Sequence, residues 1–329
     1  MRKFVLTLGV FALLMTVALS AVWGAHENPV VIATIRLASG PGGITVNPRT
    51  NVIYVCTFGN NRVNVIDGAT NTILDKIRVG GNPAGIGVNP RTKLVYVNNQ
   101  ADSTVSVIDA NTDTVIATIP VGALPVGLAV NPENNRVYSV GFDDNSLSVI
   151  DGTTNTLIAT VGVGAQPRGV AVNPETNRIY VANSAADSVS VINGATNTVI
   201  TTIPVDSGPR FLDVNPETNR IYVANRVANT VSIIDGETNS VVAAISIGAG
   251  AGPFGVIVNP ETNFIYVSNI YANTVSVING ATNTITASVP VDTFPLLFGV
   301  NPRTDRVYVS HGGAFDLNVD TVSVIGNSP

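Results

Sequence analysis

Seven Asn-Pro dipeptides recur in register, at Asn47, Asn89, Asn131, Asn173, Asn215, Asn259 and Asn301, with intervals of 42 residues and a single interval of 44. A period of this length means a repeat architecture, in which each unit buries its apolar face only against its neighbours. Every copy carries four short apolar runs, seen in the fourth as Gly169 to Val172, Arg178 to Val181, Ser188 to Ile192 and Thr198 to Ile203. The runs are rich in Val, Ile, Thr and Tyr, and Asn-Pro-Glu-Thr-Asn or Asp-Gly-Ala-Thr-Asn separates them. Pleated-strand residues therefore meet turn chemistry at every boundary. Four strands per unit without a helical segment predict an all-β, seven-bladed β-propeller with four antiparallel strands per blade.

The four strand types do not start and stop together. Three of them occur seven times between Gly43 and Ile325, while the fourth occurs only six times after Asn47. Its missing copy is Val30 to Ile35, ahead of Asn47. The N-terminal segment, about residues 30–37, is thus predicted to complete the last blade beside three C-terminal strands, which ties the ring and covers an edge. Residues 29–326 read as one domain.

Residues 1–25 read as a secretory signal peptide: Arg2 and Lys3, an apolar stretch from Phe4 to Leu19, then small residues. The protein is expected to be exported, to the periplasm, the cell surface or the medium. Its formal net charge is −5, and the leader contributes only basic groups, so the remainder is more acidic still. An acidic chain without a basic block is a poor non-specific partner for nucleic acid. Cys56 is the single cysteine, which excludes an intrachain disulfide; it reads as a small packed residue on a strand.

The register of the loops separates two faces. The Asn-Pro-Glu-Thr-Asn and Asp-Gly-Ala-Thr-Asn turns repeat almost verbatim and have local explanations, Pro presetting φ and Asn and Gly tolerating left-handed backbone. The other face carries both insertions and the aromatic residues that break the repeat, among them Phe58, Phe142, Phe211, Phe254, Tyr271 and Phe315. There a proline recurs in register, and the residue after it should ring the channel mouth: Gly42, Ala84, Val126, Arg168, Arg210, Phe254 and Leu296. Arg226 adds a third cation nearby. Asp213 interrupts the inner strand where other blades have Thr, Gly, Ala or Ile, and Arg210 is its nearest candidate partner in sequence. One reading is a binding module whose partner is either a protein or a small anionic or amphipathic ligand, with Arg168, Arg210 and Arg226 as donors and Phe254 as a platform. The other is solvated arginines and a structural Asp213–Arg210 pair.

Little conventional catalytic or metal chemistry is present. His26 and His311 are the only histidines, so a three-histidine metal site is ruled out, and His311 reads as a solvated loop residue. Asp316 to Asp320 has the opening spacing of a calcium loop but lacks its glycine and closing acid. Trp23 is the sole tryptophan, which disfavours a quinone stacked on tryptophan. No cofactor is expected.

Tyr96-Val-Asn-Asn99, Tyr180-Val-Ala-Asn183, Tyr222-Val-Ala-Asn225 and Tyr266-Val-Ser-Asn269, each between an Asn-Pro turn and a Val-Ser-Val-Ile-like strand, resemble the repeat of the YVTN family of β-propellers. Tyr54, Tyr138 and Tyr308 open looser copies. The resemblance covers residues 29–326. It implies a propeller outside the cytoplasm, since similar proteins include surface-layer components and periplasmic propellers, one of which binds single-stranded DNA. Propellers of similar shape also house lactonases and lyases at the channel mouth, where Asp213 and the arginines would supply acid-base or oxyanion roles. A haem-d1-type propeller would have to use His311 as its axial ligand.

Overall fold

The computed structural model describes residues 29–312 and 319–327. Within them, 28 strands form seven four-stranded antiparallel sheets. Six blades are continuous in sequence, beginning at Pro41, Pro83, Pro125, Pro167, Pro209 and Pro253. The seventh places Pro29–Arg36 outermost, against Thr321–Asn327, followed by Arg306–His311 and the innermost strand Pro295–Asn301. Val31 pairs with Ile325 and Ile35 with Val322, so the first strand closes the ring as the strand count requires. The only helical element among the described residues is one 3-10 turn, Phe58–Asn60. The proposed leader, Phe315 and most of the Asp316–Asp320 segment lie outside the described residues.

Each blade buries its second and third strands almost completely, as in blade four, where every residue of Arg178–Asn183 but the first and every residue of Ser188–Asn193 but the last is buried. Apolar side chains then meet across the gap to the next blade. One cluster joins Tyr180, Val189 and Val191 of blade four to Leu212, Ile221 and Ile234 of blade five, and a comparable cluster fills each of the seven gaps. Burying one Val or Ile contributes roughly 1.5–3 kcal/mol, whereas exposed ion pairs such as Arg91–Glu133 contribute about 0–1 kcal/mol. Apolar inter-blade packing therefore dominates the cohesion of the ring.

The Asn-Pro asparagines add direction to that packing. The Oδ1 of Asn173 accepts from the Glu175 amide at 3.0 Å and caps its own turn, while its Nδ2 donates to Asn219 Oδ1 of the next blade at 2.8 Å. Six gaps have this side-chain bond, at 2.6–3.2 Å, the ring-closing one running from Asn301 to Asn51. Aspartate could cap the turn but has no N–H for the second bond. The acceptor must also hold left-handed backbone: φ lies between 52° and 57° at Asn51, Asn135, Asn177, Asn219, Asn263 and Asp305. Asparagine suits both demands. In the gap between blades one and two the acceptor position is Lys93, also left-handed at φ 60°, whose side chain offers no acceptor.

Candidate functional site

Two residues after each register proline the inner strand carries Gly43, Gly85, Gly127, Gly169 and Gly255. A Cβ on Gly43, Gly85, Gly127 or Gly255 would strike the carbonyl oxygen of the next blade, and one on Gly169 would lie 2.7 Å from Phe211 Cα. Close approach of inner strands around the axis thus requires glycine there. Blades five and seven break the rule with Phe211 and Leu297, and both side chains line the axial channel. Together with Gly43 and Gly85 they belong to the linings of two cavities. One, of about 240 Å³, sits at the mouth beside Phe58, Arg168, Phe254 and Leu296; the other, of about 330 Å³, lies deeper and is lined by Thr45, Ala129 and Asp213. Gly42 leaves room for the Phe58 ring, whose edge occupies the place a Cβ would take.

An apolar cluster gathers at this mouth, distinct from the seven between blades. Phe254, Ile270 and Leu296 are buried, with Phe211, Phe294 and Leu297 against them. The Phe211 and Phe254 rings lie 5.3 Å apart at 46°, a tilted aromatic pair.

The structure brings three arginines of the variable face close enough to repel one another. The Arg168 guanidinium stacks on Phe142 of the preceding blade, 4.4 Å from the ring centroid. Arg226 stacks on Tyr271 of the following blade at 5.1 Å and donates to its hydroxyl. These aromatic faces orient the guanidinium planes. Burial, then the charges of Arg168 and Arg226, push the Arg210 guanidinium down to about 10. Arg168 is lowered by burial and by Arg226. The Nε atoms of Arg168 and Arg210 are buried without a hydrogen-bond partner, and among the described residues no ion pair involves either side chain.

Three candidates have different surroundings from those sequence suggested. Asp213 does not pair with Arg210: its Oδ1 accepts from the Val214 amide at 2.9 Å and its Oδ2 from the Val258 amide of the next blade at 2.8 Å. Burial still raises its carboxyl to about 6, the two amides only partly opposing it. His311 is not a solvated loop residue; it ends the strand Arg306–His311, is fully buried, and its Nε2 lies 2.9 Å from Ser323 Oγ. It stands where four other blades have asparagine, as in Asn183, which donates to Ser190 at 2.9 Å. Burial lowers its imidazole to about 4, opposed by Asp292. Phe254 is largely buried at the cavity wall rather than an open platform. Cys56 is fully buried and its thiol is raised by burial. Sequence reading passed over Leu297 and the cavity-lining Gln100; the loss of glycine at position 297 was the available signal for the first. No set of three or more His, Cys, Asp and Glu side chains is placed to hold a metal among the described residues.

The YNCE-like beta-propeller family matches residues 157–264, from the outer strand of blade three to the second strand of blade six. Both this match and the seven-bladed ring fit a YVTN-type propeller. Among solved structures, hydrazine synthase of Kuenenia stuttgartiensis superposes with a TM-score of 0.77 over 88% of this chain and 96% of that one, at 19% identity. At that identity the likeness is one of fold. No curated protein matches the chain. Among the described residues no helix is long and apolar enough to cross a membrane.

Proposed function

We propose that this protein is an exported binding module that holds an anion at one mouth of its propeller channel. The observation carrying the reading is the pair Arg168 and Arg210, whose buried Nε groups have no hydrogen-bond partner and whose charges repel each other and that of Arg226. Like charges held close together, as at Arg168 and Arg210, cost the free protein stability, and an anion beside them turns that cost into affinity. Export rests on the basic-then-apolar N-terminus of the sequence.

Inorganic phosphate and sulfate, titrated at constant ionic strength, should raise the melting temperature of the wild-type protein, since a ligand confined to the native state stabilises it. Replacing both arginines, Arg168→Gln with Arg210→Gln, should abolish the shift. The guanidinium groups stay charged across this range and so does sulfate, so the sulfate effect should be level from pH 6 to 8.5. Equal shifts in wild type and double variant would refute the reading.

A further inference from the structure

We infer that the mouth cavity selects a compact monocarboxylate whose apolar body is about the size of one aromatic ring. This rests on the anion site proposed above and specifies its ligand. Among the described residues, Arg168 is the only charged one lining the cavity of about 240 Å³, and Gln100 is the only other with a polar side chain. The walls are Phe58, Ala84 and Val126 on one arc and Phe211, Phe254 and Leu296 on the other. One guanidinium matches one negative charge, and its planar fork fits a carboxylate. A bare inorganic ion would leave the apolar walls against water, whereas a ring seated on them removes that surface.

The ligand's length and direction follow from what lies deeper. Phe211 and Leu297 are the two bulky residues, beside Gly43 and Gly85, common to the linings of the mouth and the lower cavity, and Asp213 lines that lower space. An anionic head directed inward meets the Asp213 carboxylate, and a long chain would push its apolar end onto the same polar group. The favoured pose keeps the carboxylate outward at Arg168, with the body stopping at the Phe211–Leu297 wall. The cavity is smaller than the roughly 300–1,000 Å³ of drug-sized pockets, which limits the body to about one ring. The tilted Phe211 and Phe254 rings offer a face and an edge to such a ring. The ligand-selective parts are thus departures from the repeat: Phe211 and Leu297 replace glycine, and Arg168 stands where Gly42, Ala84 and Val126 stand in the first three blades.

Calorimetric titration of the full chain with phenylacetate, acetate, phenylacetamide, phenyl phosphate and inorganic phosphate tests the inference. Phenylacetate should bind at least tenfold more tightly than acetate, which lacks the body, and than phenylacetamide, which lacks the charge. Arg168→Gln should erase the preference over phenylacetamide. Phe211→Gly should erase the preference over acetate, with Leu297→Gly as the second variant should the first lose its cooperative melt. Tighter binding of phenyl phosphate than of phenylacetate would overturn the monocarboxylate assignment. Binding of inorganic phosphate, with phenylacetate no better than acetate, would overturn the inference and leave the anion site standing. Binding of no anion at all would overturn both.

Discussion

His311, fully buried, and Asp213, partly buried, are titratable groups whose effects on stability run in opposite directions. His311 has its folded pKa depressed from 6.5 to about 4, so the unfolded chain binds more protons between those values. The stability it allows is complete above pH 6.5 and is lost as pH falls towards 4, by roughly 2–4 kcal/mol. Asp213 has its folded pKa raised from 3.8 to about 6, so stability is complete below pH 4 and is lost as pH rises through 6, by roughly 1–3 kcal/mol. The two slopes offset one another across one pH interval. Urea unfolding of wild type should therefore show a shallow pH dependence between 4 and 6.5. In His311→Asn, where the new residue matches the asparagine of other blades, the histidine slope vanishes and stability should fall as pH rises from 4 to 6.5. An unchanged profile in that variant would mean His311 is not held neutral by burial. Sequence showed that these residues were unusual but not their surroundings. The strand pairing that brings Ser323 to His311, and the blade contact that brings the Val258 amide to Asp213, are set by the closed ring.

At the scale of the strand and turn, most of the fold was legible because each copy repeats the same local solution. The missing fourth-type strand told where the N-terminus goes, and Val31 opposite Ile325 is the outcome. The Asn-Pro turns were legible only in part. Their local logic, Pro at a preset φ and a capping Asn, is visible in sequence, but the Nδ2 bond to the next blade depends on a partner some 46 residues away. That second bond makes the gap between blades one and two a weak joint, since Lys93 replaces the acceptor and holds left-handed backbone without asparagine's tolerance for it. Lys93→Asn should supply Asn47 with an acceptor and relieve the backbone, raising stability by about 0.5–1.5 kcal/mol in denaturant melts. The exposed Lys93 Nζ–Asn111 bond is lost in that variant but contributes little. A neutral or destabilising result would show that the amide ring does not bind the blades together.

At the scale of the whole molecule, seven near-identical gaps account for cohesion, and an eighth apolar cluster at the channel mouth has no counterpart in them. The gap clusters are built from residues that recur in every blade. The mouth cluster is built from residues that do not, namely Phe211, Phe254, Leu296 and Leu297, and Arg168 lines the cavity beside it. Its ring of positions followed from the proline register. Its depth did not, because the place of Phe211 and Leu297 in both linings depends on how closely glycine lets the inner strands approach the axis. The central claim is that broken symmetry at one rim makes a site with a charged entrance and an apolar floor. It is tested most directly by soaking crystals in 4-iodobenzoate and locating the iodine by anomalous scattering. The account predicts one dominant peak against Phe211, Phe254 and Leu297 with the carboxylate at Arg168; iodine bound elsewhere, with the mouth left to water, would contradict it.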